Sequence, residues 1–163
     1  MCGIAGAFGP APIPNTRIAA ALATMQHRGP DADGRAVYQL GDRHVTFLHS
    51  RLAIIDLDPR ANQPFERTGV VLTYNGEIYN YIEVRDELLM LGHSFSTQSD
   101  TEVLVAAYKE WGAGFLDKLD GMWAFALLDL EHGEVLLSRD RFGEKPLYTW
   151  MIDDTLYFAS EIK

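Results

Sequence analysis

The sequence predicts a mixed α+β fold, built from antiparallel hairpins with two helices inserted between strands. Three observations predict it. The last third is a series of short apolar runs separated by turn pairs such as His132-Gly133 and Asp153-Asp154. The middle holds two segments of helical character, each closed by a glycine, at Gly92 and Gly112. The 163 residues are 47% hydrophobic and 23% charged, enough for one domain with a substantial core.

Taken in order, Cys2 to Phe8 is short, apolar and glycine-rich, and predicts a buried strand. Asn15 is placed to cap a helix running to about Gln26, with Ile18, Leu22 and Met25 on one face. Gly29-Pro30-Asp31 breaks that helix. Val37 to Leu40 and His44 to Ser50 predict a strand pair turning at Gly41-Asp42, and Leu52 to Ile55 a further short extended run. Val70 to Tyr74 predicts a buried strand ending at Asn75-Gly76. Helices are expected from Asn80 to Leu91 and, opened by a Ser99/Glu102 capping box, from Ser99 to about Trp111. Met122 to Leu130, Glu134 to Ser138, Leu147 to Ile152 and Thr155 to Ala159 are the closing strands. The chain stops straight after a strand, which predicts a piece of something longer.

Charge and composition exclude several classes. A formal net charge of −9 without a basic block disfavours nucleic acid and anionic membrane. No segment approaches the roughly 18 apolar residues of a membrane span. Residues 1–14 lack the basic and apolar regions of a signal peptide. A single cysteine cannot form an internal disulfide, so the expected location is the cytoplasm. The five histidines show no metal-ligand spacing, and no phosphate loop or Gly-x-Ser-x-Gly elbow is present.

The residues that can carry chemistry begin with Cys2. Removal of Met1 would give one residue both a thiol, ordinarily of pKa about 8.5, and an α-amine, ordinarily about 7.7–8.0. Such an amine is matched to act as general base for its own thiol, through a bridging water. Inert packing is the other reading of a lone cysteine. Attack of a thiolate on an amide creates an oxyanion, for which the Asn75 side chain and the Gly76 N–H are suitable donors. Asn-Gly is equally a common turn pair. Arg51 could fork onto a carboxylate or form a surface ion pair. Asp100, in the first turn of a helix, could serve the helix dipole or an ammonium group, and Glu77 is ambiguous in the same way. The stretches 27–31 (HRGPD) and 139–148 (RDRFGEKPLY) read as hydrogen-bonded loops that could line a site.

The stretches MCGIAG (1–6), MQHRGPDADG (25–34), HSRLAIIDL (49–57), NQPF (62–65), YNGEIYNY (74–81), SDTEVLVAAY (99–108), LDGMWAFALLD (119–129) and RDRFGEKPLYT (139–149) occur in an order that resembles the amino-terminal domain of class II glutamine amidotransferases. They cover nearly the whole chain. HRGPD, SRLAIIDL and RDRFGEKPLY are most similar to the asparagine synthetase branch.

The resemblance implies the amino-terminal-nucleophile hydrolase fold, a four-layer αββα sandwich with two antiparallel sheets. It implies hydrolysis of glutamine to glutamate and ammonia by one domain spanning 1–163, with Met1 removed. It assigns Cys2 as nucleophile, its amine as base, and Asn75 and Gly76 as oxyanion hole. Arg51 would hold the α-carboxylate of L-glutamine, and Asp100 and Glu77 its α-ammonium. Leu52, Ile54 and Ile55 would line the pocket. The branch continues into a synthetase domain that uses ATP and Mg to amidate aspartate. No cofactor or metal is expected in this domain, whose partners would be glutamine and that synthetase domain, with a homodimer left open. An acceptor from a polysaccharide, peptide or antibiotic pathway stays open, as does a non-catalytic glutamine-binding role should Met1 be retained.

Overall fold

A computed structural model describes residues 1–162. The strands are β1 (Gly3–Gly9), β2 (Ala32–Leu40), β3 (Arg43–Arg51), β4 (Phe65–Arg67), β5 (Val70–Ile78), β6 (Gly121–Asp129), β7 (Glu134–Arg139), β8 (Tyr148–Ile152) and β9 (Thr155–Ala159). The helices are α1 (Asn15–Met25), α2 (Tyr81–Met90) and α3 (Asp100–Trp111). Short 3-10 turns occupy Pro59–Ala61 and Gly112–Lys118.

Two antiparallel sheets form, ordered β2-β3-β1-β9-β8 and β4-β5-β6-β7. Strand alternation explains the layers. In β6, Ala124, Ala126 and Leu128 face the first sheet, where they meet Ile4, Val45, Phe47 and Phe158. Trp123, Phe125 and Leu127 face the other way, onto Val84, Leu88 and the α3 residues Val103 to Ala107. On the first sheet, α1 lays Ile18 and Met25 over Leu48. The result is the expected α+β sandwich of four layers, αββα. Gly6 serves the inter-sheet core, because a Cβ there would collide with the Phe158 ring. That ring packs edge-on against Phe47 at 5.6 Å between centroids. No described helix is long and apolar enough to cross a membrane.

Five local expectations are corrected. Leu52 to Ile55 is irregular rather than extended, because β3 ends at Arg51 and Asp31 Oδ2 takes the Ala53 N–H at 2.8 Å. β5 does not turn at Asn75-Gly76 but runs through to Ile78, since β6 pairs with it as far as Ile78↔Gly121. Asn15 makes no cap; its Oδ1 accepts from Arg35 Nη1, and the helix starts behind Pro14. Ser99 does cap α3, accepting from Thr101 N–H, but Glu102 does not return the bond. Its carboxylate instead takes the backbone N–H groups of Ser96 and Thr97, the hydroxyls of both, and an ion pair with Arg67. β2 begins at Ala32, five residues before the expected Val37, because it pairs with β3 along its whole length.

Candidate active site

The sandwich opens at the end where β1 starts and β3 finishes. Their register sets Gly3 beside Ser50, which brings Cys2 alongside the end of β3. β5 of the second sheet delivers Asn75 and Gly76, and the start of α3 delivers Asp100. A cavity of about 100 Å³ lies between these elements, with Met1 in its wall. All nine residues proposed from the sequence line it: Cys2, Arg51, Leu52, Ile54, Ile55, Asn75, Gly76, Glu77 and Asp100.

The Cys2 thiol sits between the two backbone groups of Leu52. It accepts from the Leu52 N–H at 3.3 Å and faces the Leu52 carbonyl at 3.6 Å. Burial pushes its pKa up, against the opposing pull of the Leu52 N–H and nearby positive charge. The thiol form is therefore the resting one, and attack needs a base. The Cys2 carbonyl is held by Arg28 Nε at 2.9 Å.

Arg51 is buried, not a surface ion pair. Its guanidinium donates to Asn62 Oδ1 at 2.6 Å, to the Asp58 carbonyl at 3.3 Å and to the Asp56 carbonyl. These partners are neutral, and no described carboxylate forms an ion pair with it. Asp100 is the mirror case. Its Oδ2 accepts from Tyr74 Oη at 2.8 Å and Ile78 N at 3.3 Å, again without a cation. Burial raises its pKa, opposed by those donors. The cavity thus holds a fixed cation and a fixed anion, each braced but not neutralised. A zwitterion of matching span answers both.

The oxyanion-type donors come from the free edge of β5. β4 pairs with β5 only as far as Phe65↔Leu72. Beyond it, alternate N–H groups point away from β6. That of Tyr74 is taken by Gln63 Oε1 and that of Ile78 by Asp100. Gly76 lies between them, and its N–H turns to the same open edge. A Cβ at Gly76 would meet Met122 and Trp123, so the strand can lie this close only as glycine. The buried Asn75 Nδ2 has no hydrogen-bond partner in the protein. It is a donor without an acceptor in a cavity that holds a thiol.

Besides Met1, seven further lining residues were not singled out from the sequence, among them Gln63, Thr101, Met122 and Lys145. Lys145, buried, donates to Met1 Sδ at 2.8 Å. The 139–148 loop therefore does reach the cavity, tied down by Asp140, whose carboxylate takes four backbone N–H groups, among them Lys145 at 3.0 Å. The 27–31 loop does not line it, but Arg28 and Asp31 hold the two segments that do. Among the described residues, Asp129, Glu131 and His132 are the one set of potential metal ligands close together. They sit at the β6–β7 turn, away from the cavity, and His132 Nδ1 is already bonded to Asp129 at 2.9 Å.

Residues 1–163 match the family described as "Glutamine amidotransferase domain". The chain is 42% identical to asparagine synthetase [glutamine-hydrolyzing] 1 of Bacillus subtilis, covering all of this chain and 26% of that protein. It is 41% identical to asparagine synthetase [glutamine-hydrolyzing] 2 of Oryza sativa, of which it covers 27%. It is 34% identical to a putative asparagine synthetase of Methanocaldococcus jannaschii, of which it covers 34%. The chain thus spans about a quarter to a third of these relatives' length. Glutamine phosphoribosylpyrophosphate amidotransferase from B. subtilis shares the fold, with a TM-score of 0.79 over 98% of this chain and 42% of its own, at 24% identity.

Proposed function

Because the chain belongs to the glutamine amidotransferase domain family, we propose that it hydrolyses the side-chain amide of L-glutamine to glutamate and ammonia, with Cys2 as nucleophile after removal of Met1. The observation that carries this reading is one cavity holding a thiol, an unanswered cation, an unanswered anion and an unpartnered amide donor. Arg51 receives the α-carboxylate, and Asp100 with Glu77 the α-ammonium. Leu52, Ile54 and Ile55 flank the aliphatic stem. The α-amine of Cys2 takes the Sγ proton as sulfur bonds to the amide carbon. The resulting oxyanion is met by Asn75 Nδ2 and the Gly76 N–H, a contribution of about 2.7–4 kcal/mol per donor. Collapse breaks the carbon–nitrogen bond, and the amine returns its proton to the leaving ammonia. Water, deprotonated by the same amine, then attacks the thioester and releases glutamate.

We further propose that the ammonia serves a synthetase region of a longer polypeptide, which amidates aspartate with ATP and Mg bound there and not here. The relatives' names and lengths support this. The test of the hydrolysis is direct. Protein shown by mass spectrometry to begin at Cys2 is incubated with L-glutamine, and glutamate and ammonia are measured. Equimolar release, abolished by Cys2→Ala, is the expected result. No release from the folded, Met1-free chain, or equal release from Cys2→Ala, overturns the reading.

A further inference from the structure

Tyr74, immediately before the Asn75-Gly76 pair, is gripped in a way the reaction scheme above does not use. Its N–H is taken by Gln63 Oε1 at 2.6 Å. Its carbonyl is met by His49 Nε2 at 3.1 Å, across the gap between the two sheets. A carbonyl can only accept, so Nε2 carries the hydrogen and Nδ1 the lone pair. Nδ1 is buried with no partner, and burial drives the ring's pKa down to about 4, so the imidazole is neutral. Gln63 is itself fixed, its Nε2 donating to Thr101 Oγ1 at 3.3 Å at the start of α3.

These two side chains occupy the place of a missing strand. β4 stops pairing at Leu72, so nothing in the sheet satisfies the outer edge of β5 at Tyr74. A continued strand would satisfy it, but would also cover the next same-edge donor, Gly76. Two discrete side chains satisfy Tyr74 alone and leave Gly76 open.

We propose that His49 and Gln63 are positioning residues for the oxyanion donors, replacing the absent strand at Tyr74 so that the following two residues stay both rigid and uncovered. The inference rests on the glutamine-hydrolysing reading. Their job is geometric, and a displacement of about 1 Å at such donors can cost roughly 100-fold in rate.

The experiment compares Met1-free wild type with His49→Leu, His49→Gln and Gln63→Met. Glutaminase kcat and KM, the rate of Cys2 alkylation by iodoacetamide, and the thermal midpoint are measured. Alkylation uses the thiol but not the oxyanion donors. His49→Leu and Gln63→Met should lower kcat by roughly 10- to 100-fold, with KM and the alkylation rate within about twofold. His49→Gln keeps an N–H near the position of Nε2 and should recover most of kcat. Full kcat in folded His49→Leu overturns the inference, as does a fall matched by KM or alkylation, or His49→Gln no better than His49→Leu. If His49→Leu does not fold, Gln63→Met decides by the same criteria. An inactive wild type would instead overturn the underlying hydrolase reading.

Discussion

Arg51 shows how much of this site is carried by single residues. Its guanidinium is fixed at three points by neutral oxygens, so its charge is held in place and left for a ligand. A lysine could supply the charge but not the fork. Arg51→Lys should therefore raise KM for glutamine by roughly 10- to 100-fold, the loss of about 1.5–3 kcal/mol of charge-assisted bonding, and leave kcat nearly unchanged. Steady-state kinetics separate the two. Asp100 sets a pH dependence. It must be ionised to hold an ammonium group, and burial raises its pKa above the ordinary aspartate value. As pH falls through that raised pKa the carboxylate is lost, so KM should climb at a higher pH than an ordinary aspartate would give. Asp100→Asn should show a high KM with this acid limb flattened, read from KM profiles between about pH 4 and 7. Cys2, Arg51, Asn75, Gly76, Glu77 and Asp100 were legible in the sequence because each carries its chemistry in its own side chain or in an Asn-Gly pair, whereas Leu52, Ile54 and Ile55 came only from the family resemblance, Leu52 meeting the thiol through its backbone. Gln63 and His49 were not legible, and Lys145 was legible only as part of the 139–148 loop. Gln63 matters through a bond to a backbone N–H on another strand, and no local pattern announces such a bond.

At the scale of elements, strand and helix character were readable wherever a continuous apolar run or a capping glycine was strong, as in β6 and at the end of α2. The failures occurred where pairing overrode local preference. Asn75-Gly76 favours a turn, yet the ladder to β6 and the absence of a side chain at Gly76 keep it extended. Ser99 and Glu102 have capping-box spacing, yet Glu102 serves the preceding loop and Arg67. That ion pair ties the β4 edge to α3, and Glu102 is fully buried. Arg67→Met removes the ion-pair partner of a buried carboxylate that keeps its four donors from Ser96 and Thr97, and should cost about 1–3 kcal/mol in urea unfolding. The β6–β7 turn offers a second test. Burial works against the charged form of Asp129, but the side chain and N–H of His132, the N–H of Glu131 and the Tyr108 hydroxyl outweigh it and hold its pKa at about 2. A depressed carboxyl pKa gives stability that is complete above the unfolded value of about 3.9 and is lost as pH falls toward 2. Asp129→Asn should lower stability by about 1–3 kcal/mol at neutral pH and flatten the decline of the thermal midpoint below pH 4.

Across the whole molecule the helices cover the two sheets unequally. On the second sheet, α2 and α3 bury the outer residues of β5 and β6. On the first, α1 covers the rows through Leu48 and Ala5, and the sheet continues past it through β9 to β8. Register places Ala7, Tyr157 and Trp150 in one row across that outer face, and Ala5, Ala159 and Tyr148 in the next. Small residues form a floor, with α1 on one side and aromatic side chains on the other. Trp150 is 68% exposed, while Trp123 is buried beneath the second sheet's helices. A concave apolar face of this kind should bind a hydrophobic dye and be the least soluble part of the surface. Trp150→Lys should reduce dye fluorescence, raise solubility and remove the fluorescence component most readily quenched by acrylamide. It should change folding stability by no more than about 0.5 kcal/mol, as expected for an exposed side chain. A loss of several kcal/mol would mean that Trp150 is packed in solution. Unequal cover of the two sheets would then not describe the folded chain.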